Sequence, residues 1–94
     1  MDTTEPKARR FEDSLDFPAA YTFRVVSDAD EAICTLCVAV ITEMLSRAPS
    51  RVVCQPSRSG TFAVYRITAT VDAAEQIRAI YDTLIDVEGV RTLL

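Results

Sequence analysis

The run TFAVYRITATV at residues 61–71 constrains this chain more than any other stretch, because Tyr65 and Ile67 alternate with Arg66 and Thr68 in the period-two pattern of a strand. It is also the longest β-branched run in the chain, which predicts a central strand with one face buried and the other open. The residues ahead of it, SRVVCQPSR, read as a short strand containing Pro56. Proline lacks a backbone N–H, so that strand belongs at a sheet edge. Gly60 then supplies the turn into the central strand.

The other elements follow from changes of period. In LDFPAAYTFRVVS, Tyr21, Phe23 and Val25 alternate with Thr22 and Arg24, predicting a first strand. In SDADEAICTLCVAVITEMLSRAP, Ala29, Ile33, Leu36, Cys37, Val40 and Met44 recur at helical spacing, with Ser27 or Asp28 as N-cap and Pro49 as the stop. DAAEQIRAIYDTLIDVEG repeats the pattern with Ile77, Ile80, Tyr81 and Leu84, a capping-box spacing from Asp72 to Glu75 and Gly89 as the C-terminal glycine. VRTLL reads as a last short strand.

The order strand, helix, strand, strand, helix, strand is the split βαβ of the ferredoxin-like fold, an α+β sandwich. It predicts a four-stranded antiparallel sheet in the order 4-1-3-2, with both helices on one face. Alternation assigns Thr22, Arg24, Arg66, Thr68 and Val53 to the open face. Residues 1–15, with mixed charge and few apolar side chains, read as a mobile tail, leaving one domain over residues 16–94.

Composition narrows the function. There are 10 basic and 14 acidic residues, a net charge of -4, and the tail and the remainder are each slightly acidic, so the basic excess of a phosphate-backbone binder is missing. The polar N-terminal residues do not resemble a secretory signal, and the run over residues 32–42 is too short to cross a bilayer. Three cysteines without a framework fit reduced thiols, and the expected location is cytoplasmic. No histidine is present, which removes the commonest metal ligand and general base.

Three stretches, FPAAYTFRVV, PSRSGTFAVYRITATV and IYDTLIDVEGVRTLL, together resemble the YbeD-like small proteins over residues 15–94. The resemblance implies a ferredoxin-like fold comparable with ACT regulatory domains and a compact, non-enzymatic, regulatory protein. It carries over no catalytic residue. Ser27 stands where those proteins commonly have a glycine after the first strand. The aspartate and Pro-Gly pair of amino-acid-binding ACT domains is also missing there, which argues against an amino-acid effector.

Several chemistries fail on their residues. An RNA-reading RRM strand needs aromatic side chains where this chain has Thr61, Ala63 and Arg66. Cys34 and Cys37 form CxxC, but inside a helix among apolar neighbours, a setting for core packing rather than redox chemistry. An acylphosphatase-like phosphate cradle would meet Asp28, Asp30 and Glu31. No catalytic residue, metal site or cofactor is predicted.

Two binding surfaces are expected. Arg24 and Arg66, taken to lie on adjacent parallel strands, form with Thr68 a clamp for an anion or small-molecule effector. Cys34, Val38, Ile41 and Leu45 form a second apolar stripe on the first helix, an expected interaction face for a protein partner or self-association. The leading expectation is a non-catalytic, ACT-like interaction or regulatory module. A small-molecule or anion sensor comes second and an RNA-binding protein third.

Overall fold

The computed structural model describes residues 16–94, so the tail expected over residues 1–15 lies outside the described residues. The alternating run forms β3, Phe62–Val71, which pairs with β1, Ala19–Asp28, on one side and with β2, Arg51–Pro56, on the other. β4, Val90–Leu93, joins the far side of β1, giving an antiparallel sheet in the order β2-β3-β1-β4. This is the predicted order read from the opposite edge. Pro56 ends the edge strand β2, as its missing N–H requires. Gly60, at φ 75°, makes the turn that reverses the chain into β3.

Because of that turn β3 runs against β1, and the expectation that Arg24 and Arg66 lie on parallel neighbours is corrected. The helical crossover returns β2 in the direction of β1, and the tight turn then inverts β3. The register places Thr22 opposite Thr68, Arg24 opposite Arg66 and Val26 opposite Val64.

Helices α1, Glu31–Leu45, and α2, Ala74–Leu84, cover the other face. Phe23, Val25, Tyr65 and Ile67 from the sheet meet Ile33, Cys37 and Ile41 of α1 and Ile77, Ile80 and Leu84 of α2 in one core. At a general 25 cal/mol per Å² of apolar surface, each large side chain fully buried there contributes about 1.5–3 kcal/mol.

Both helix starts differ from expectation. β1 continues through Asp28, held by Gly89 O accepting from Asp28 N–H at 2.9 Å, so Ser27 is a buried strand residue and Asp30 caps α1 through Ala32 N–H. Asp72 makes no cap. Its own N–H donates to Gln76 Oε1 at 2.6 Å and its carboxylate pairs with Arg47 at 3.6 Å. Both ends move inward as well. Ser46 stops α1 in the left-handed region ahead of Pro49, and α2 stops at Leu84, well before Gly89.

Candidate functional site

The open sheet face carries a grid of side chains set by the two registers. Arg51, Thr68 and Thr22 form one row across β2, β3 and β1, and Val53, Arg66 and Arg24 form the next. These six residues line a shallow depression of about 390 Å³. The structure therefore brings together the predicted Arg24, Arg66 and Thr68 and adds Arg51.

Pair geometry sharpens the arrangement. Arg24 turns its carbonyl towards β4, accepting from Leu94 N–H at 3.0 Å, and Thr68 turns its carbonyl towards Ser50 N–H at 2.8 Å. Arg24–Arg66 and Thr22–Thr68 are therefore narrow, non-hydrogen-bonded pairs, where side chains of antiparallel neighbours come closest. The two threonine hydroxyls are 2.8 Å apart and hydrogen-bonded. The two arginines place like charges directly opposite, which by itself destabilises a ladder.

Among the described residues nothing acidic lines the depression. Carboxylates engage other arginines, Asp72 with Arg47 at 3.6 Å and Asp28 with Arg91 at 2.7 Å. Arg66 Nη1 donates to the neutral Gln55 Oε1 at 3.1 Å, which orients the guanidinium without cancelling its charge. Among the described residues, an exposed face of an acidic protein thus holds three guanidinium groups without a paired carboxylate beside two hydroxyls, a constellation suited to an anion.

The predicted interaction face is corrected. Ile41 and Leu45 are buried in the core, and Cys34 and Val38 pack partly against it. The side of α1 left to solvent instead carries Leu36, 53% exposed, and Met44, 37% exposed. α1 is apolar around most of its circumference, so its own period leaves the choice of buried row to α2 and β3.

The remaining candidates divide cleanly. Cys37 is fully buried, and burial, with a smaller contribution from Cys34, pushes its thiol up to about 11. Burial also raises Cys34, reinforced by Cys54 and Glu31. Raised thiols are poor nucleophiles at neutral pH. Among the described residues no group of three or more Cys, Asp or Glu is placed to hold a metal ion. The hollow before α1, about 410 Å³, is lined by Asp30 and Glu31 and is hostile to phosphate at that position. On the strands of the open face the one aromatic ring is Phe62, 38% exposed, with the Arg91 guanidinium 5.2 Å from its centroid.

A further hollow of about 520 Å³ lies where β4 ends, lined by Tyr21, Tyr81, Leu93 and Leu94. Tyr81 Oη lies 3.2 Å from Tyr21 Oη and donates to Leu94 O at 3.2 Å, and burial drives its phenol strongly upward. β4 pairs with β1 only at Val25, Val26 and Ser27, so residues 19–23 have no strand on that side among the described residues.

Arg51 is the site residue that sequence reasoning missed. Its signal was alternation with Val53 in a strand already placed at the edge, which puts both on the open face.

Comparison with known proteins agrees with this architecture. No helix among the described residues is long and apolar enough to cross a membrane. An ACT domain from the GTP pyrophosphokinase of Chlorobium tepidum superposes with a TM-score of 0.65 at 16% identity, covering 80% of this chain and 94% of that one. Protein HP0495 of H. pylori superposes at 0.72 and 15% identity, covering 86% of each. The fold is ACT-like. A UPF0250 protein of Shewanella piezotolerans is 34% identical over 87 residues, and one of Shewanella putrefaciens 36% identical over 87, each alignment covering 90% of this chain and 96% of the relative. Residues 12–94 match the family described as protein of unknown function (DUF493), and with relatives this similar over nearly their whole length, the chain belongs to the DUF493 family, the UPF0250 or YbeD-like proteins.

Proposed function

We propose that this chain is a non-catalytic, cytoplasmic regulatory module that works by binding an anionic effector on its open sheet face. One observation carries the reading, the gathering of Arg24, Arg51 and Arg66 around the Thr22–Thr68 hydroxyl pair with no carboxylate among them in the described residues. A sheet face kept only for solubility would intersperse charge of both signs. The residues suit recognition rather than turnover, since guanidiniums are forked donors for anionic oxygens and the hydroxyls have no base beside them among the described residues.

The test is thermal unfolding against a panel of carboxylates and phosphates. A true effector at a hundred times its Kd adds about 2.7 kcal/mol of stability by mass action. The R24Q/R66Q variant is expected to keep its fold and lose that gain. A panel that leaves the wild-type midpoint unmoved rejects the reading, and single-turnover conversion of any panel compound rejects its non-catalytic part.

A second reading, self-association, is favoured by the β1 edge over residues 19–23, which no strand among the described residues pairs. The 520 Å³ hollow beside it could take an apolar side chain of an added strand. Light scattering across a concentration series tests it. A mass that rises with concentration in the wild type and not in Ala20→Pro supports pairing at this edge, while a monomer throughout removes it.

A further inference from the structure

The lining of the open-face depression chooses among anions. One bidentate arginine satisfies a carboxylate, whereas three guanidiniums around a single hollow suit a compact group of higher charge with several acceptor oxygens. In the Thr22–Thr68 contact one hydroxyl proton is used between the two side chains, and the other remains to donate to a ligand oxygen. These are the donors a phosphoryl group requires.

Size and surroundings point to one such group on a small molecule. The hollow is about 390 Å³, within the range of small-ligand sites. The basic grid ends abruptly. The next row along β1 and β3 is Val26 and Val64, and the one after that carries Asp28, already paired with Arg91. With a net charge of -4 and no basic track continuing along these strands among the described residues, a nucleic-acid backbone would be repelled beyond its first phosphate.

We infer that Arg24, Arg51 and Arg66, with the Thr22–Thr68 hydroxyl pair, form a site for the dianion of a small phosphomonoester. This rests on the anion-binding reading of the open face. Among the described residues no element covers that face, and the charged groups facing the ligand are Arg24 from β1, Arg51 from β2 and Arg66 from β3, with Asp28 and Arg91 farther along it. Arginine does not titrate in the accessible range and the chain has no histidine. A phosphomonoester loses its second proton near pH 6. The pH dependence of binding therefore belongs to the ligand.

Amide chemical shifts of the full chain, titrated with methyl phosphate, sulfate and succinate, test this. Methyl phosphate is expected to move amides around Arg24, Arg51 and Arg66, with apparent affinity falling about fourfold between about pH 7.5 and about pH 5.5 as the dianion is protonated. Sulfate, fully ionised throughout, is expected to bind the same amides with no such fall. R24Q/R66Q is expected to weaken methyl phosphate about tenfold or more, its dispersed spectrum confirming the fold, while Arg58→Gln on the β2–β3 turn leaves affinity unchanged. Equal methyl phosphate affinity at both pH values overturns the dianion site. So does succinate moving the open-face amides while methyl phosphate does not, although anion binding then stands. If none of the three probes moves these amides, both the site and the anion-binding reading fall.

Discussion

The two faces of the β1–β3 pair use the same backbone ladder to opposite ends. On the inner face Phe23 lies opposite Ile67 and Val25 opposite Tyr65, all fully buried. The polar atoms admitted there are satisfied in a chain, Ser27 Oγ donating to Tyr65 Oη at 2.8 Å and Tyr65 Oη donating to Asp30 O at 3.1 Å. On the outer face, one residue out of phase, Arg24 faces Arg66 with no countercharge among the described residues lining the hollow they share. A buried polar group must find its partner within the fold, whereas an exposed charge can leave its partner to be supplied by a ligand. The inner face reads as stability, and recognition by the outer face is the proposal these contrasts test.

The largest test compares truncations on the two sides of one strand. Phe23→Ala, which empties a fully buried site, is expected to lower unfolding free energy by about 3–5 kcal/mol, a large share of what a domain of this size possesses. Val26→Ala, on the outer face of the same strand and only partly covered, is expected to cost less than about 1 kcal/mol. Urea denaturation of both variants reads the difference. Equal losses would mean that something covers the outer face and that the contrast between the two is mistaken.

An intermediate effect isolates the inner side by pH. Cys37 is fully buried and its thiol is pushed from 9.0 up to about 11. The folded protein therefore holds this proton more tightly than the unfolded chain. The corresponding stability is complete below pH 9, where both states are protonated, and is lost as pH rises through 11. The loss is about 3 kcal/mol at most, and Tyr65 and Tyr81, also raised by burial, act in the same direction. Chemical denaturation from neutral pH into this window is expected to show a steeper decline in the wild type than in Cys37→Ala. Parallel declines would place the alkaline sensitivity elsewhere.

How much of this was legible in the sequence follows from how local each cause is. β3 could be read because alternation over ten residues is itself the record of two different faces, and β2 because a proline without an N–H has few places in a sheet. The buried row of α1 could not. Ile33, Cys37, Ile41 and Leu45 go inside while Leu36 and Met44 stay out, although each set is apolar at helical spacing. Contact with α2 and β3 makes that choice, and those contacts are distant in sequence. Ser27 resembles a helix cap until β4 is seen to hold β1 extended past it, through a register shift between Val26 and Ser27. At the site, Arg24, Arg66 and Thr68 were visible from alternation alone. Arg51 was not singled out because its relevance depends on the β2–β3 register, which puts it opposite Thr68.

The smallest expected effect bears most directly on the outer face, and its sign matters more than its size. Most surface substitutions lower stability slightly or leave it unchanged. Arg24 and Arg66 are like charges in a narrow pair, a juxtaposition that costs a ladder roughly 0.2–1 kcal/mol. Arg24→Gln in a buffer of low ionic strength without multivalent anions is therefore expected to stabilise the protein by about that amount. Added sodium chloride should shrink the gain, since exposed charges are screened over about 10 Å at 0.1 M salt. Sulfate should shrink it further at equal ionic strength, by stabilising the wild type through occupation of the arginine pair. Urea midpoints of wild type and variant in the three buffers separate the cases. A variant that is less stable at low salt would show that the two guanidiniums do not oppose one another in the free protein, and the uncompensated charge that distinguishes the outer face from the inner would then be absent.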